Sequence, residues 1–173
     1  MKWKVDPAHS EVGFKVKHMM FTTVSGRFDK YDATVTMDGD NLETAQAEFS
    51  ADIASINTAN DERDKHLRSA DFFNADTNPK LTFRSTSIRK AGDDYEMTGD
   101  LTMNGITKPV TVKVEYSGKM TDPWGNPKIG LNVDGKIKRS DWGLNWNSML
   151  ETGGVLVSDE VRLSIEVQLV EDK

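Results

Sequence analysis

Two polar side chains, His18 and Arg139, stand where alternating apolar patterns end. His18 follows Phe14 and Val16 at intervals of two residues, and Arg139 follows Ile137 in the same way. Because side chains alternate between the two faces of a strand, both residues are expected to point inward with the apolar ones. An imidazole and a guanidinium placed there can hydrogen-bond a polar or anionic group at the edge of an apolar interior.

Two interpretations of these residues stay open. An arginine is rarely buried without a partner, so Arg139 either forms an ion pair with Asp141 or Asp71, or holds an anionic or carbonyl headgroup in its planar fork. His18 is either hydrogen-bonded at the rim or a polar contact for the same headgroup. The first and seventh predicted strands run in the same direction, so the two side chains are expected to share one polar mouth.

Sequence signatures of catalysis and metal binding are absent. No two of the three histidines have zinc-ligand spacing, and His66 lies in a charged segment where it is expected to be solvated. The chain has no cysteine, no G-x-S-x-G elbow and no phosphate-binding or dinucleotide glycine loop. The sequence therefore predicts no enzymatic activity, no metal and no required cofactor. An enzyme acting on a lipid-like substrate, with His18 and Arg139 at its site, is the alternative.

The elements that position these residues are strands, because alternation with a period of two dominates the chain. The predicted strands lie near residues 10–18, 25–38, 41–56, 80–90, 94–104, 107–120, 127–140 and 156–171. Short turn signals such as Asn104-Gly105 separate them. Hairpin-joined antiparallel strands favour a closed barrel, which leaves no open edge, over a two-sheet sandwich. The predicted fold is an all-β, eight-stranded antiparallel up-and-down barrel.

One stretch, residues 58–69, breaks the alternation and is highly charged. Thr58 followed by Asp61 resembles a helix N-cap with an acidic third position, which predicts a short helical insertion near residues 58–70. Phe72 and Phe73 follow at once and are expected to pin the insertion to the barrel.

The predicted inward faces combine large and small side chains, the latter including Ala47, Ala51, Ser85, Gly99 and Gly135. Strands of 12 residues reach about 40 Å, which makes the predicted barrel long. The small inward residues then have two interpretations: they leave an apolar tunnel for a linear hydrocarbon, or they only accommodate the taper of the barrel and bends in its strands. The residues predicted to line the tunnel are Phe14, Val16, Phe28, Phe49, Phe83, Leu101, Leu131, Val133 and Ile137. His18, Arg139 and Trp142 complete the predicted ligand-binding set.

Three tryptophans suggest either a plug or an external surface. Trp142 and Trp146 are expected to plug one barrel end. Trp124 lies between two prolines at a predicted hairpin tip and is expected to be exposed. Because exposed aromatic residues often anchor interfaces, a stress-related interaction protein is a further alternative.

Composition excludes several classes of protein. The chain has 173 residues and a net charge of −6, which argues against a nucleic-acid partner. No apolar run approaches the ~20 residues of a membrane-spanning helix, and residues 1–173 are expected to form one domain. The first residues lack an apolar leader, so the expected location is the cytoplasm, or the periplasm if a signal has been removed.

The chain resembles the YceI-like family through motifs that run from end to end. They are Trp3-Lys4-Val5-Asp6-Pro7-Ala8-His9-Ser10, Gly26-Arg27-Phe28, Asp64-Lys65-His66-Leu67-Arg68-Ser69-Ala70-Asp71-Phe72-Phe73, Gly99-Asp100-Leu101-Thr102-Met103-Asn104-Gly105 and Arg139-Ser140-Asp141-Trp142-Gly143. The resemblance implies a lipocalin-like barrel with an internal lipid tunnel, frequent dimerisation and no established enzymatic activity. The implied ligand is a polyisoprenoid, such as a quinone tail or prenyl chain, or a fatty-acid-like lipid, bound for carriage, storage or sequestration.

Overall fold

The computed structural model describes residues 1–19, 21–39, 41–146 and 157–172, in which it shows eleven strands and one α-helix. The elements are β1 (Lys2–Val5), β2 (Glu11–His18), β3 (Thr22–Phe28), β4 (Tyr31–Thr36), β5 (Gln46–Asp52), β6 (Ile56–Asn57), α1 (Asp61–Arg68), β7 (Lys80–Ala91), β8 (Asp94–Met103), β9 (Ile106–Thr121), β10 (Pro127–Lys138) and β11 (Val157–Glu171). All pairings between these strands are antiparallel.

The sheet closes on itself through the first strands. β1 and β2 both pair with β11, and β1 also pairs with β4. Short 3-10 turns at Pro7–His9 and Ile53–Ser55 separate β1 from β2 and β5 from β6, while a bend separates β3 from β4. Each of these pairs forms one interrupted strand. The segments therefore make a closed eight-stranded up-and-down barrel, which confirms the predicted fold.

The structure differs from the predicted boundaries in a few places. β1 was not predicted, because four residues carry too little alternation to identify a strand. The predicted strand near 127–140 ends at Lys138, and Arg139 begins a 3-10 turn, Arg139–Trp142. The start of the predicted strand 156–171, residue 156, lies outside the described residues.

The two ends of the barrel carry different elements. His18 pairs with Val157 at one end, and α1 lies at this end too, because His66 contacts Trp146 close to Arg139. We call it the α1 end. The β9–β10 hairpin carries the exposed Trp124 at the opposite end, which we call the Trp124 end.

Three buried clusters pack the interior and leave space between them. One lies towards the Trp124 end around Trp3, Ile129 and Leu169. A second lies beneath α1 around Ile53, and a third surrounds Trp142. Most of the remaining inward side chains are half-buried, because they face a cavity rather than a packed core.

The insertion forms a helix, as predicted, but with a different cap. The side chain of Asn60 caps α1 by accepting a hydrogen bond from the Arg63 amide. Thr58 is buried instead, and its amide and hydroxyl both donate to the buried Asp64 carboxylate. The helix is therefore held at its first turn by an internal polar contact that the capping pattern does not reveal.

Candidate ligand cavity

A cavity of about 610 Å³ occupies the barrel interior, and its wall is predominantly apolar. The wall contains all the residues predicted to bind ligand except Trp142: Phe14, Val16, His18, Phe28, Phe49, Phe83, Leu101, Leu131, Val133, Ile137 and Arg139. Its volume falls in the range of small-molecule sites, about 300–1,000 Å³.

Two phenylalanine rings lie against the wall because glycines make room for them. A Cβ on Gly26 would stand 2.3 Å from the Phe14 ring, and a Cβ on Gly99 would stand 2.3 Å from the Phe83 ring. Each ring therefore covers the backbone of the neighbouring strand instead of extending across the lumen. The small residues accommodate their large neighbours, as one interpretation expected, and this arrangement is also what keeps the lumen open.

Trp142 lies outside the cavity wall. It is 2% exposed, and its indole N–H donates to the Leu101 carbonyl over 2.9 Å. The pairing of β9 with β10 ends at Lys113 and Asp134, and beyond that point Trp142 lines the gap between the two strands. Trp142 therefore fills a gap in the barrel wall and does not line the cavity with the other predicted ligand contacts.

Arg139 is buried, but its partners are main-chain carbonyls. Its Nε and Nη2 groups donate to the carbonyls of Ser158 and Val157 over 2.9 and 3.2 Å. Its Nη1 group donates to the carbonyls of Leu144 and Trp146 over 2.6 and 2.9 Å. Neither predicted carboxylate partner, Asp141 or Asp71, takes part in these bonds. The fork is thus engaged in joining the two chain segments that flank residues 147–156.

The charge state of Arg139 follows from this environment. Burial lowers the pKa of the Arg139 guanidinium from its ordinary value, and the nearby Asp159 carboxylate opposes the shift. Burial also acts on Asp159, but hydrogen bonds from the Ser140 hydroxyl and amide outweigh it and lower the pKa of that carboxyl. The four carbonyl bonds use four of the five N–H groups of the guanidinium. One N–H group is left for a ligand, which is too few for bidentate recognition.

His18 and Arg139 lie at the same end of the barrel, as predicted. His18 pairs with Val157, and the Val157 carbonyl accepts a hydrogen bond from Arg139. Both side chains line the cavity. The lumen therefore has a more polar α1 end and an apolar remainder.

A cluster of His66, Phe72 and Trp146 lies at this end. The His66 ring makes edge contacts with Phe72 and Trp146, with centroid separations of 5.2 and 4.6 Å, and its Nε2 is 3.0 Å from the Asp71 carboxylate. His66 was expected to be solvated, but only 36% of its side chain is exposed. The expectation holds only in part, because the charge of its helix gives no sign that one face covers a barrel opening.

Sequence reasoning also missed the contribution of α1 to the cavity. Asn60, Arg63, His66 and Leu67 line its wall. The only available signal was Leu67, the single large apolar residue of the helix, which packs in the cluster beneath it. Phe72 and Phe73 do pack against the barrel, as the sequence predicted.

The described part of the chain shows no grouping of three or more histidine or acidic residues able to hold a metal ion. Among the helices that the structure describes, none has the length and apolarity to cross a bilayer. The cavity offers polar contacts near His18 and Arg139 and apolar contacts elsewhere.

A closed antiparallel barrel with an apolar internal cavity and one helix-covered end defines a class of β-barrel proteins. The model of the YceI-like domain matches residues 3–169, and the chain belongs to that family. Protein YceI of Escherichia coli O17:K52:H18 is 40% identical over 173 residues, which cover 99% of this chain and 87% of that protein.

Solved structures show the same fold. BcnA of Burkholderia cenocepacia matches with a TM-score of 0.82 and 28% identity, covering 95% of this chain and 98% of BcnA. A polyisoprenoid binding domain from Saccharophagus degradans, implicated in plant cell wall breakdown, matches with a TM-score of 0.69 and 17% identity over 98% of each chain. At that identity the second likeness shows the fold alone.

Proposed function

We propose that this protein binds one long-chain apolar lipid inside the barrel, with a polyisoprenoid as the preferred class and a fatty-acid-like chain as the variant. The observation that carries the proposal is the predominantly apolar cavity of about 610 Å³ inside the barrel. The Saccharophagus domain of the same fold is described as polyisoprenoid-binding, which supports the choice of ligand class. The role is carriage, storage or sequestration, by a protein that we expect to be dimeric, and no catalytic step is assigned.

The cavity volume limits the length of the enclosed chain. A cavity of about 610 Å³ lies within the range of small-molecule sites, so it accommodates a hydrocarbon chain of limited length. Burial supplies the affinity, because each methylene group transferred from water contributes about 0.8 kcal/mol before ordering costs. A longer tail must extend beyond the enclosed part of the barrel.

The orientation of the ligand follows from the polarity of the lumen. His18 and Arg139 are polar wall residues at the α1 end, so a headgroup is expected there and the hydrocarbon towards Trp3. With the Arg139 fork occupied by carbonyls, His18 is the better donor or acceptor for an uncharged headgroup.

Extraction and mass spectrometry test the proposal directly. Protein purified from its own host should yield a long-chain lipid in a near-stoichiometric amount. Folded protein that yields none, and that takes up no polyprenol or fatty acid when mixed with them, contradicts it.

A matched pair of variants locates the ligand. Ala47 lines the cavity, while its neighbour Gln46 is exposed on the outer face of β5. Ala47→Trp places an indole in the lumen and should lower lipid content, whereas Gln46→Trp should not. Ala47→Leu, a smaller change, covers the case in which the tryptophan prevents folding. Equal lipid content in folded Ala47→Leu, Ala47→Trp and Gln46→Trp proteins excludes the lumen as the site.

A further inference from the structure

The β2–β3 hairpin ends in exposed apolar side chains at the α1 end. Phe21 is 89% exposed and Met19 is 43% exposed, immediately beyond the His18–Thr22 pair. His18 itself lines the cavity, so these side chains lie beside its polar mouth. An aromatic side chain this exposed does not stabilise the isolated protein through the hydrophobic effect, because its apolar surface stays in contact with water.

The β2–β3 hairpin also forms part of the opening of the cavity. β3 pairs with β6 only at Arg27 and Phe28, so in the described structure the segment 22–26 pairs with β2 alone. Val24 in that segment lines the cavity. A surface that receives the hairpin tip is therefore adjacent to the entrance of the lumen.

A row of positive charges crosses the outer wall below the tip. Lys15 on β2 stands directly opposite Arg162 on β11, and Arg162 stands opposite Lys136 on β10. All three are exposed, and in the described part of the chain only Lys136 has a carboxylate oxygen within 4 Å, that of Glu160 at 3.9 Å, while Glu160 also precedes Arg162 by two residues on the same face. Like charges in directly opposed positions destabilise a sheet, so an anionic partner is the natural counterpart of this row.

The local charge contrasts with that of the whole chain. The stretch from residue 12 to residue 28 contains Lys15, Lys17 and Arg27 and no acidic residue, although Arg27 pairs with Asp29 just beyond it at 2.8 Å, whereas the protein carries a net charge of −6. Apolar side chains next to a basic surface are the combination that interfacial segments use on anionic bilayers.

We infer that the α1 end docks on an anionic phospholipid bilayer through the β2–β3 hairpin, which brings the mouth of the cavity to the membrane where an apolar ligand enters or leaves. The purpose of docking, ligand transfer, rests on the proposed function. Docking itself is measured separately from lipid binding. Lys15 lies three residues from His18, about 10 Å along the strand. Interfacial segments sink about 5–10 Å into the headgroup region, so Phe21 reaches the acyl boundary while the basic row lies level with the phosphates.

The cysteine-free sequence allows a direct test with single labelling sites. Phe21→Cys and Trp124→Cys each receive an environment-sensitive fluorophore, and Trp124 is a matched control because it is 83% exposed at the opposite end. Vesicles of phosphatidylcholine mixed with phosphatidylglycerol should blue-shift the label at position 21 and leave the label at position 124 unchanged. Equal shifts at the two positions, or none at either, overturn the inference.

Vesicle sedimentation tests the two parts of the surface. Phe21→Ser should lower partition to the mixed vesicles by about ten-fold or more, and Trp124→Ser should not. Lys15→Gln with Arg162→Gln should lower it by about five-fold for each charge, and vesicles of phosphatidylcholine alone should bind poorly throughout. If none of these substitutions changes partition to the mixed vesicles, the inference is overturned.

Two further measurements separate the possible failures. If Phe21→Ser changes the oligomeric state in light scattering without changing vesicle partition, the tip is a contact between copies of the chain and docking is wrong. If the protein docks but yields no lipid on extraction, the docking surface stands and the proposed lipid-binding function fails.

Discussion

Replacing Arg139 with methionine removes the main polar tie at the mouth of the cavity. The guanidinium donates to carbonyls of Leu144 and Trp146 on one side and of Val157 and Ser158 on the other. Methionine keeps much of the apolar stem, so packing against Phe72, which lies 6.0 Å from the guanidinium carbon, is largely preserved. The change therefore removes the hydrogen bonds and the charge while it keeps most of the packing.

The magnitude follows from opposing terms. Each hydrogen bond to a charged group contributes about 1.5–3 kcal/mol, so the four bonds together contribute about 6–12 kcal/mol before the cost of burial. Methionine carries no charge, so the variant no longer bears the cost of burying a cation, several kcal/mol, which offsets much of that loss. We expect a net loss of about 3–5 kcal/mol in the free energy of unfolding. For a domain of this size the melting temperature should fall by about 10 °C.

Urea unfolding, with Arg162→Met as the control, measures this prediction. Arg162 is an exposed arginine on β11, and its replacement should change stability by no more than about 0.5 kcal/mol. If Arg139 held a headgroup, Arg139→Met would weaken a carboxylate-bearing lipid more than a plain hydrocarbon. The carbonyl bonds predict equal weakening of the two. A selective loss of the carboxylate ligand, in a protein as stable as the wild type, would refute this reasoning.

Three further substitutions probe the wall and its closure. Gly26→Val should push the Phe14 ring into the lumen, cost about 1–3 kcal/mol of stability and lower lipid content, because a Cβ would stand 2.3 Å from that ring. Trp142→Phe should cost about 1–3 kcal/mol in thermal unfolding, because it leaves a buried β8 carbonyl unsatisfied, and lipid content should not change. Asp6→Asn should cost about 1 kcal/mol at neutral pH, because Asp6 accepts a 2.8 Å bond from Lys128. That bond lowers the pKa of Asp6, so its stabilising contribution is present above the ordinary value of 3.8 and disappears as pH falls through the lowered value.

Each of these expectations has an opposite outcome. Unchanged lipid content in folded Gly26→Val protein would mean that Phe14 does not shape the lumen. Lipid loss in Trp142→Phe would place that residue in the ligand site after all. An unfolding profile with the same acid dependence in Asp6→Asn and wild type would show that Asp6 keeps an ordinary pKa in the folded state.

The wall of the cavity was largely predictable, because strand alternation is a local property. Two-residue periodicity around Phe14, Leu131 and Ile137 shows which face is apolar, and hairpin turns join the runs in order. Where the period holds without interruption, the sequence identifies the lining residues without knowledge of the partner strand.

The same rule fails where a strand contains a bulge. In β7 the register shifts between Ser85 and Ser87, so Phe83 and Ile88 line the same cavity although their positions have opposite parity. A bulge depends on how the neighbouring strand pairs, which no local pattern records.

What only the tertiary structure decided are the openness of the lumen and the partners of Arg139. The lumen is open because the Phe14 and Phe83 rings lie over Gly26 and Gly99, and this depends on the register between strands rather than on composition. The sequence by itself determined that the Arg139 guanidinium follows an inward-facing run of apolar residues and needs partners. It did not identify those partners, because they are main-chain carbonyls, which every residue carries and which acquire a position only when the chain has folded around them.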